Sequence, residues 1–207
     1  MADDLTPEVL ILAAGEASRF GSVKALAPWG NDCLLAHVIR ITHEAVGQTP
    51  WVVLGAAASS IESTLKAQGC EYRGLLNEGW QSGLSSSLQC GISGIARALP
   101  QTRSVLVTLG DQPCLRIDEL RGLIALWRMD PERIVAADYA GQAGAPCILP
   151  RPLFAQVADL RGDQGARALL RNHPTTVRTL PIASAAWDVD TPEDLQQAWS
   201  RFDNLDA

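Results

Sequence analysis

The sequence predicts a three-layer α/β/α fold on an open, mostly parallel sheet with one antiparallel excursion, and it reads as a single domain over residues 1–207. Three observations carry this prediction. Short apolar runs alternate with segments of helical period along the whole chain. The clearest runs, Val9-Leu10-Ile11-Leu12 and Val105-Leu106-Val107-Thr108-Leu109, have almost no polar interruption, as strands covered on both faces require. Hydrophobic residues make up 47% of the chain and charged residues 19%, enough apolar material for a buried core in 207 residues.

In order, Val9 to Leu12 is the first strand, ending in small residues. Leu34, Leu35, Val38, Ile39 and Val46 then fall at helical spacing, with Asn31-Asp32 as the expected cap. Trp51 to Gly55 is a second strand, and Ser59 or Ser60 is expected to cap a short helix through Leu65. Tyr72 to Leu76 is a weaker strand. From Ser82, the positions Leu84, Leu88, Ile92, Ile95 and Leu99 trace one helical face. Val105 to Leu109 runs directly into Gly110-Asp111-Gln112-Pro113. A helix over Ile117 to Trp127 and a strand over Ile134 to Ala137 follow. Tyr139 to Pro150, with two glycines before Cys147-Ile148-Leu149, predicts a hairpin or irregular excursion. Helical patterns near Leu153 to Leu160 and Ala166 to Leu170 precede a strand at Val177 to Leu180. In Thr191-Pro192-Glu193-Asp194, Thr191 is the cap, Pro192 the first helical residue, and acids fill the first turn of a helix reaching Trp199. No internal repeat, low-complexity tract or linker interrupts the pattern.

Composition excludes several functions. A net charge of -6 argues against gripping nucleic acid or an anionic membrane by bulk charge. Five scattered cysteines without a C-x-x-C pair (Cys33, Cys70, Cys90, Cys114, Cys147) predict reduced thiols rather than a disulfide framework or zinc site. The N-terminus, MADDLTPEV, has no signal pattern and no apolar stretch is of membrane-spanning length, so a cytoplasmic location is expected.

The turn after the first strand, Leu12-Ala13-Ala14-Gly15 through Arg19 to Lys24, fits neither G-x-G-x-x-G nor G-x-x-x-x-G-K-[ST]. Its small residues leave room for a flat ligand against the backbone, and Arg19 and Lys24 bring positive charge that suits phosphate oxygens. On composition alone, an exposed loop with ordinary surface charges remains equally open.

The string L-A-A-G-x-x-x-R-F-G-x-x-K resembles the opening signature of the MobA-like nucleotidyltransferases, and specifically their molybdenum cofactor cytidylyltransferase branch. Four later segments resemble that family in the same order: Asn77-Glu78-Gly79-Trp80 to Leu88, Gly110-Asp111-Gln112-Pro113, Gly162-Asp163-Gln164-Gly165-Ala166-Arg167, and Asp188-Val189-Asp190-Thr191-Pro192-Glu193-Asp194. Two positions depart from it: Ala17, where many members have Ser, and Ala145, within Gly144-Ala145-Pro146.

The resemblance implies a Rossmann-like sheet of the nucleotide-diphospho-sugar transferase type. It implies transfer of CMP from CTP to molybdopterin with release of pyrophosphate, for a client of the xanthine dehydrogenase type. It also implies site residues. Leu12, Ala13, Ala14, Gly15, Arg19, Lys24, Asn77, Gly83, Ser85, Ser86 and Asp111 are expected to bind nucleotide, with Lys24, Arg19 and Asp111 catalytic. Gln112, Pro113, Gly144, Pro146, Asp163 and Arg167 are expected on the acceptor side.

That chemistry brings anions together, so cations must offset their repulsion. Mg²⁺ takes oxygen ligands and commonly only one or two protein carboxylates. Asp111, at the carboxyl end of the clearest strand, is the expected first ligand, although an Asp before a turn also serves as a turn former. Asp190 is the expected second, with Asp188 close behind. The acceptor phosphate is already ionised near neutral pH, so no general base is required of His37, His43 or His173. The six tryptophans, Trp29 and Trp80 among them, read as packing residues rather than stacking platforms, with Trp80, inside a motif segment, the one where a site role stays open.

Other readings stay open. GTP or another phosphorylated acceptor could replace CTP or molybdopterin, and an accessory protein could carry finished cofactor without catalysis. A dehydrogenase is disfavoured by the missing glycine fingerprint.

Overall fold

The computed structural model describes residues 5–16, 18–139 and 141–203. Ala17, the first departure from the family string, lies outside them, as do Met1 to Asp4 of the N-terminal stretch and Ala140 of the excursion.

In chain order, strand β1 (Glu8–Ala13) leads through two 3₁₀ turns into a two-residue hairpin, β2 (Pro28–Trp29) and β3 (Asp32–Cys33). Helix α1 (Leu34–Val46), β4 (Trp51–Leu54), α2 (Ala58–Ala67), β5 (Arg73–Leu76), α3 (Leu84–Ala98) and β6 (Ser104–Leu109) follow. Then come α4 (Ile117–Arg128), β7 (Ile134–Tyr139), β8 (Gln142–Pro150), α5 (Phe154–Val157), α6 (Ala166–Asn172), β9 (Val177–Pro181) and α7 (Pro192–Asp203). The main sheet runs β5-β4-β1-β6-β8-β7-β9. Strand β1 is parallel to β4 and β6, and β7 is parallel to β9, while β8 is antiparallel to both its neighbours. The excursion is therefore a hairpin that inserts one reversed strand between β6 and β7, with a register shift at Ala136/Ala137.

Two cores sandwich the sheet, because alternate side chains of each strand point to opposite faces. On one face Val9 and Ile11 of β1 meet Leu35 and Val38 of α1, Ile61 and Leu65 of α2, and Leu123 and Trp127 of α4. On the other, Leu10 and Leu12 meet Leu88, Ile92 and Ile95 of α3, with α5 and α6 alongside. A third cluster docks α7: Trp29, Leu34, Cys114, Val189 and Ala198 are buried together. Trp199 and Phe202 make edge contacts with Trp29 at ring distances of 5.0 and 5.5 Å.

Two expected caps are corrected. Asn31 is a turn residue of the β2-β3 hairpin, and Cys33 precedes α1 without a side-chain cap. Asp32 instead receives a fork from Arg40, Nε at 2.9 Å and Nη2 at 2.8 Å, so its carboxylate is already engaged. Ser59 and Ser60 lie inside α2, which starts from Ala57 in a left-handed conformation (φ 55°). The cap of α7 is as expected. Thr191 Oγ1 accepts from the Asp194 N–H at 3.1 Å, and Asp194 Oδ2 accepts from the Thr191 N–H at 2.8 Å, a reciprocal box.

Candidate active site

The parallel sheet puts the carboxyl ends of β1, β4 and β6 on one rim. The chain leaves β1 and β6 there as loops, which leaves a crevice. Gly110 N–H still pairs with Leu12 C=O at 2.9 Å, so β6 holds its register with β1 up to the residue before Asp111. The crevice has a volume of about 460 Å³. Its lining includes Leu12, Ala13, Ala14, Gly15, Lys24, Gly83, Asp111 and Asp163, brought together from four separate segments of the chain.

Four charged side chains meet at its edge. Lys24 Nζ donates to Asp111 Oδ2 at 2.7 Å and to Asp190 Oδ1 at 3.2 Å. Arg19 Nη2, largely exposed, donates to Asp190 Oδ2 at 3.0 Å. Burial pulls the Lys24 ammonium down, but the charges and hydrogen bonds of Asp111 and Asp190 outweigh that and hold it above its ordinary value. Asp190 reaches the site because Val189 N–H bonds the Asp111 carbonyl at 2.9 Å, tying the Asp188–Asp190 segment to the turn after β6. Val189 is fully buried, and the two flanking acids therefore point away from the α7 cluster.

Asp188 takes a different environment from Asp190. Although the residue is exposed, desolvation of its carboxyl, followed by repulsion from Asp111, pushes it up to about 6, with Gln112 and Arg167 opposing the shift.

The donor set fits a hard divalent cation. Asp111 Oδ1 is buried with no hydrogen-bond partner, and Asp190 lies across the same ammonium. Among the described residues no group of three or more His, Cys, Asp or Glu has metal-holding geometry. A pair of carboxylates completed by water and phosphate oxygens is the arrangement Mg²⁺ accepts.

The remaining expected residues divide. Asn77 is buried and braces the start of α3, its Nδ2 donating to Ser86 Oγ at 2.9 Å and Ser87 Oγ at 3.1 Å. Ser85 is buried and its N–H bonds Gly162 C=O at 3.0 Å, while Ser86 Oγ donates to Gly83 C=O at 2.8 Å. Ser87, not Ser85 or Ser86, lines the crevice. Gln112 is fully buried; its Nε2 donates to Ala185 C=O at 2.9 Å and lies 3.4 Å from Ala145 C=O. The Pro113 carbonyl accepts from His37 Nε2 at 3.0 Å, turned toward α1 and away from the crevice. Gly144 and Pro146 are buried within β8, with a cis Ala145–Pro146 peptide between them. Arg167 donates to Tyr139 Oη at 2.8 Å and lies 5.2 Å over that ring. Sequence reasoning missed Glu16 and Gln81, which fill variable positions of two motif strings, as lining residues, and the motif residue Trp80, read first as packing, lines the crevice too. A side chain between two signature residues carries no signal of its own until the loop is folded.

Comparison with known proteins gives this geometry a family. The model of the MobA-like NTP transferase domain matches residues 9–177. The chain belongs to that family. It is 31% identical over 202 residues to nicotine blue oxidoreductase of Paenarthrobacter nicotinovorans, covering 90% of this chain and 93% of that one. It is 24% identical over 199 residues to molybdenum cofactor cytidylyltransferase of Escherichia coli (strain K12), covering 96% and 98%. Among solved structures, the complex of Rv0371c from Mycobacterium tuberculosis H37Rv with manganese superposes with a TM-score of 0.73 at 25% identity, covering 94% of this chain and 98% of that one. The MobA-like sheet and its flanking helices are thus shared across nearly the full chain. No helix among the described residues is long and apolar enough to cross a membrane.

Proposed function

We propose that this chain is a single-domain, cytoplasmic, Mg²⁺-dependent cytidylyltransferase that moves CMP from CTP to molybdopterin and releases pyrophosphate. Molybdopterin cytosine dinucleotide is the product, destined for a molybdoenzyme of the xanthine dehydrogenase type. The observation that carries the reading is the convergence of Lys24 with Asp111 and Asp190 at the rim of a crevice formed by strand ends.

In this reading the small residues Ala13, Ala14 and Gly15 let the nucleotide approach the backbone, and Lys24 and Arg19 take the triphosphate oxygens. Asp111 and Asp190 hold the metal, which when bound offsets negative charge at the reacting phosphorus. The acceptor phosphate attacks the α-phosphorus, the bond to the β-phosphate oxygen breaks, and pyrophosphate leaves with that electron pair. Arg167 and Asp163 border the acceptor, and Gln112, from its buried position, braces the turn beside it.

The test is purified protein with Mg²⁺, molybdopterin and each NTP in turn, followed by pyrophosphate release and mass of the product. CTP is expected to give release and the cytosine dinucleotide. GTP-dependent release would move the assignment to a guanylyltransferase, and product from a different phosphorylated acceptor would move the substrate. No release with any NTP, while the protein retains bound dinucleotide, would make it a carrier. The 31% identity to nicotine blue oxidoreductase favours a second reading, an oxidoreductase using the same crevice. Reduction of added nicotine blue by an equivalent of a two-electron donor, without pyrophosphate release, would select it.

A further inference from the structure

We propose that Lys24 occupies the metal position between Asp111 and Asp190 until a triphosphate draws it away, so that the metal enters only with the nucleotide. The inference rests on the transferase reading and adds an order of binding to it. Its basis is geometric. The ammonium lies 2.7 Å from one carboxylate and 3.2 Å from the other, so it stands between them. A Mg²⁺ or Mn²⁺ shared by the same carboxylates would stand about 2.1 Å from each oxygen, in the volume that Nζ fills. Each Asp190 oxygen already accepts one hydrogen bond, Oδ1 from Lys24 and Oδ2 from the exposed Arg19, so a metal at Asp190 competes chiefly with the Lys24 ammonium. Asp111 keeps only Oδ1 unpartnered, and one carboxylate oxygen is a weak seat for a hydrated divalent ion.

A triphosphate changes the balance. It offers Lys24 and Arg19 several anionic oxygens at once, and each cation that swings to them releases a carboxylate oxygen. Asp111 and Asp190, freed of the ammonium, would then hold the metal, with phosphate oxygens available to complete its ligands. The acids exchange a monovalent ammonium for a divalent ion and are never left unpaired.

Mn²⁺ binding to the full chain without nucleotide, read by the free-Mn²⁺ electron paramagnetic resonance signal, tests this. Lys24→Met is expected to bind Mn²⁺ at least about tenfold more tightly than wild type, because the charge that competes for the same seat is removed. Arg19→Met is the control for general charge, and as an exposed pair it should change affinity by less than about threefold. Equal Mn²⁺ affinity of wild type and Lys24→Met would overturn the proposal, and so would an equal gain in Arg19→Met. A measurement on wild type does not depend on the variant folding. The ¹³Cε resonance of Lys24 should hold still when Mg²⁺ alone is added and move when CTP is added. A saturable shift with Mg²⁺ alone, or none with CTP bound, also overturns the proposal. If CTP does not bind, the transferase reading fails, while the Mn²⁺ ratio between wild type and Lys24→Met still reports on the lysine.

Discussion

Asp111 carries two demands on one carboxylate, an ion pair with Lys24 through Oδ2 and a buried, unpartnered Oδ1. Asp111→Asn keeps the shape and removes the charge. Pyrophosphate release should fall by about 100-fold or more while the circular dichroism spectrum is unchanged, as expected when a charge-stabilising group is lost. Asp188 makes a separate prediction through pH. Its carboxyl is raised to about 6 in the folded state against an ordinary 3.8, so between those values the native state holds a proton the unfolded state has lost. Stability therefore falls as pH rises through that window. Asp188→Asn should lack this fall, which thermal melts from pH 4 to 7 in EDTA will show. The thiols are legible in the same way. Burial pushes Cys147 up to about 12 and Cys114 up to about 11, so neither should be labelled by iodoacetamide in the native protein at pH 8. Cys70 and Cys90, less buried, should take whatever label appears. At this scale the sequence named Lys24, Arg19, Asp111 and Asp190 from an ordered set of short strings. It did not show that Gln112 is sealed in or that Asn77 spends its amide on Ser86 and Ser87, because those roles depend on which face each side chain takes after folding.

Among the elements, α3 is held to the crevice by Gly83. Its φ of 92° and the Gly162 backbone 2.5 Å from where a Cβ would stand leave no room for a side chain. Gly83→Ala should cost more than about 1 kcal/mol from the positive-φ, extended backbone alone, a conformation open essentially to glycine. It should also raise KM for the nucleotide by moving the start of α3, and a urea melt with a KM measurement will read both. The main strands and the long helices were legible because each buries a regular apolar face, which writes its period into the sequence. The β2-β3 hairpin was not, since two-residue strands are too short to carry a period. The caps of α1 and α2 were misread for a related reason. Propensity favours Asp32 and Ser59 as caps, but Arg40 engages one and the left-handed Ala57 starts the helix ahead of the other.

For the whole molecule, with a net charge of -6, the proposed phosphate recognition would rest on a few local cations, two of which sit on the loop after β1. Ligand binding to the native state alone should therefore raise its stability. At a CTP concentration 100 times its dissociation constant with Mg²⁺ present, the gain should be about 2.7 kcal/mol, readable as a rise in melting temperature. An unchanged melting temperature would remove the nucleotide from this crevice. The layered fold followed from the alternation of elements, but the position of the hairpin within the sheet did not, because nothing local in Tyr139 to Pro150 specifies that it pairs with β6.

That reversed strand has a consequence for how such a molecule diversifies. Running against its neighbours, β8 delivers its beginning, Gly144 to Pro146, to the rim where β6 and β7 finish. If the proposed transfer holds, one hairpin could thus be rewritten to suit a new recipient molecule without disturbing the first turn of the chain, on the far side of β6.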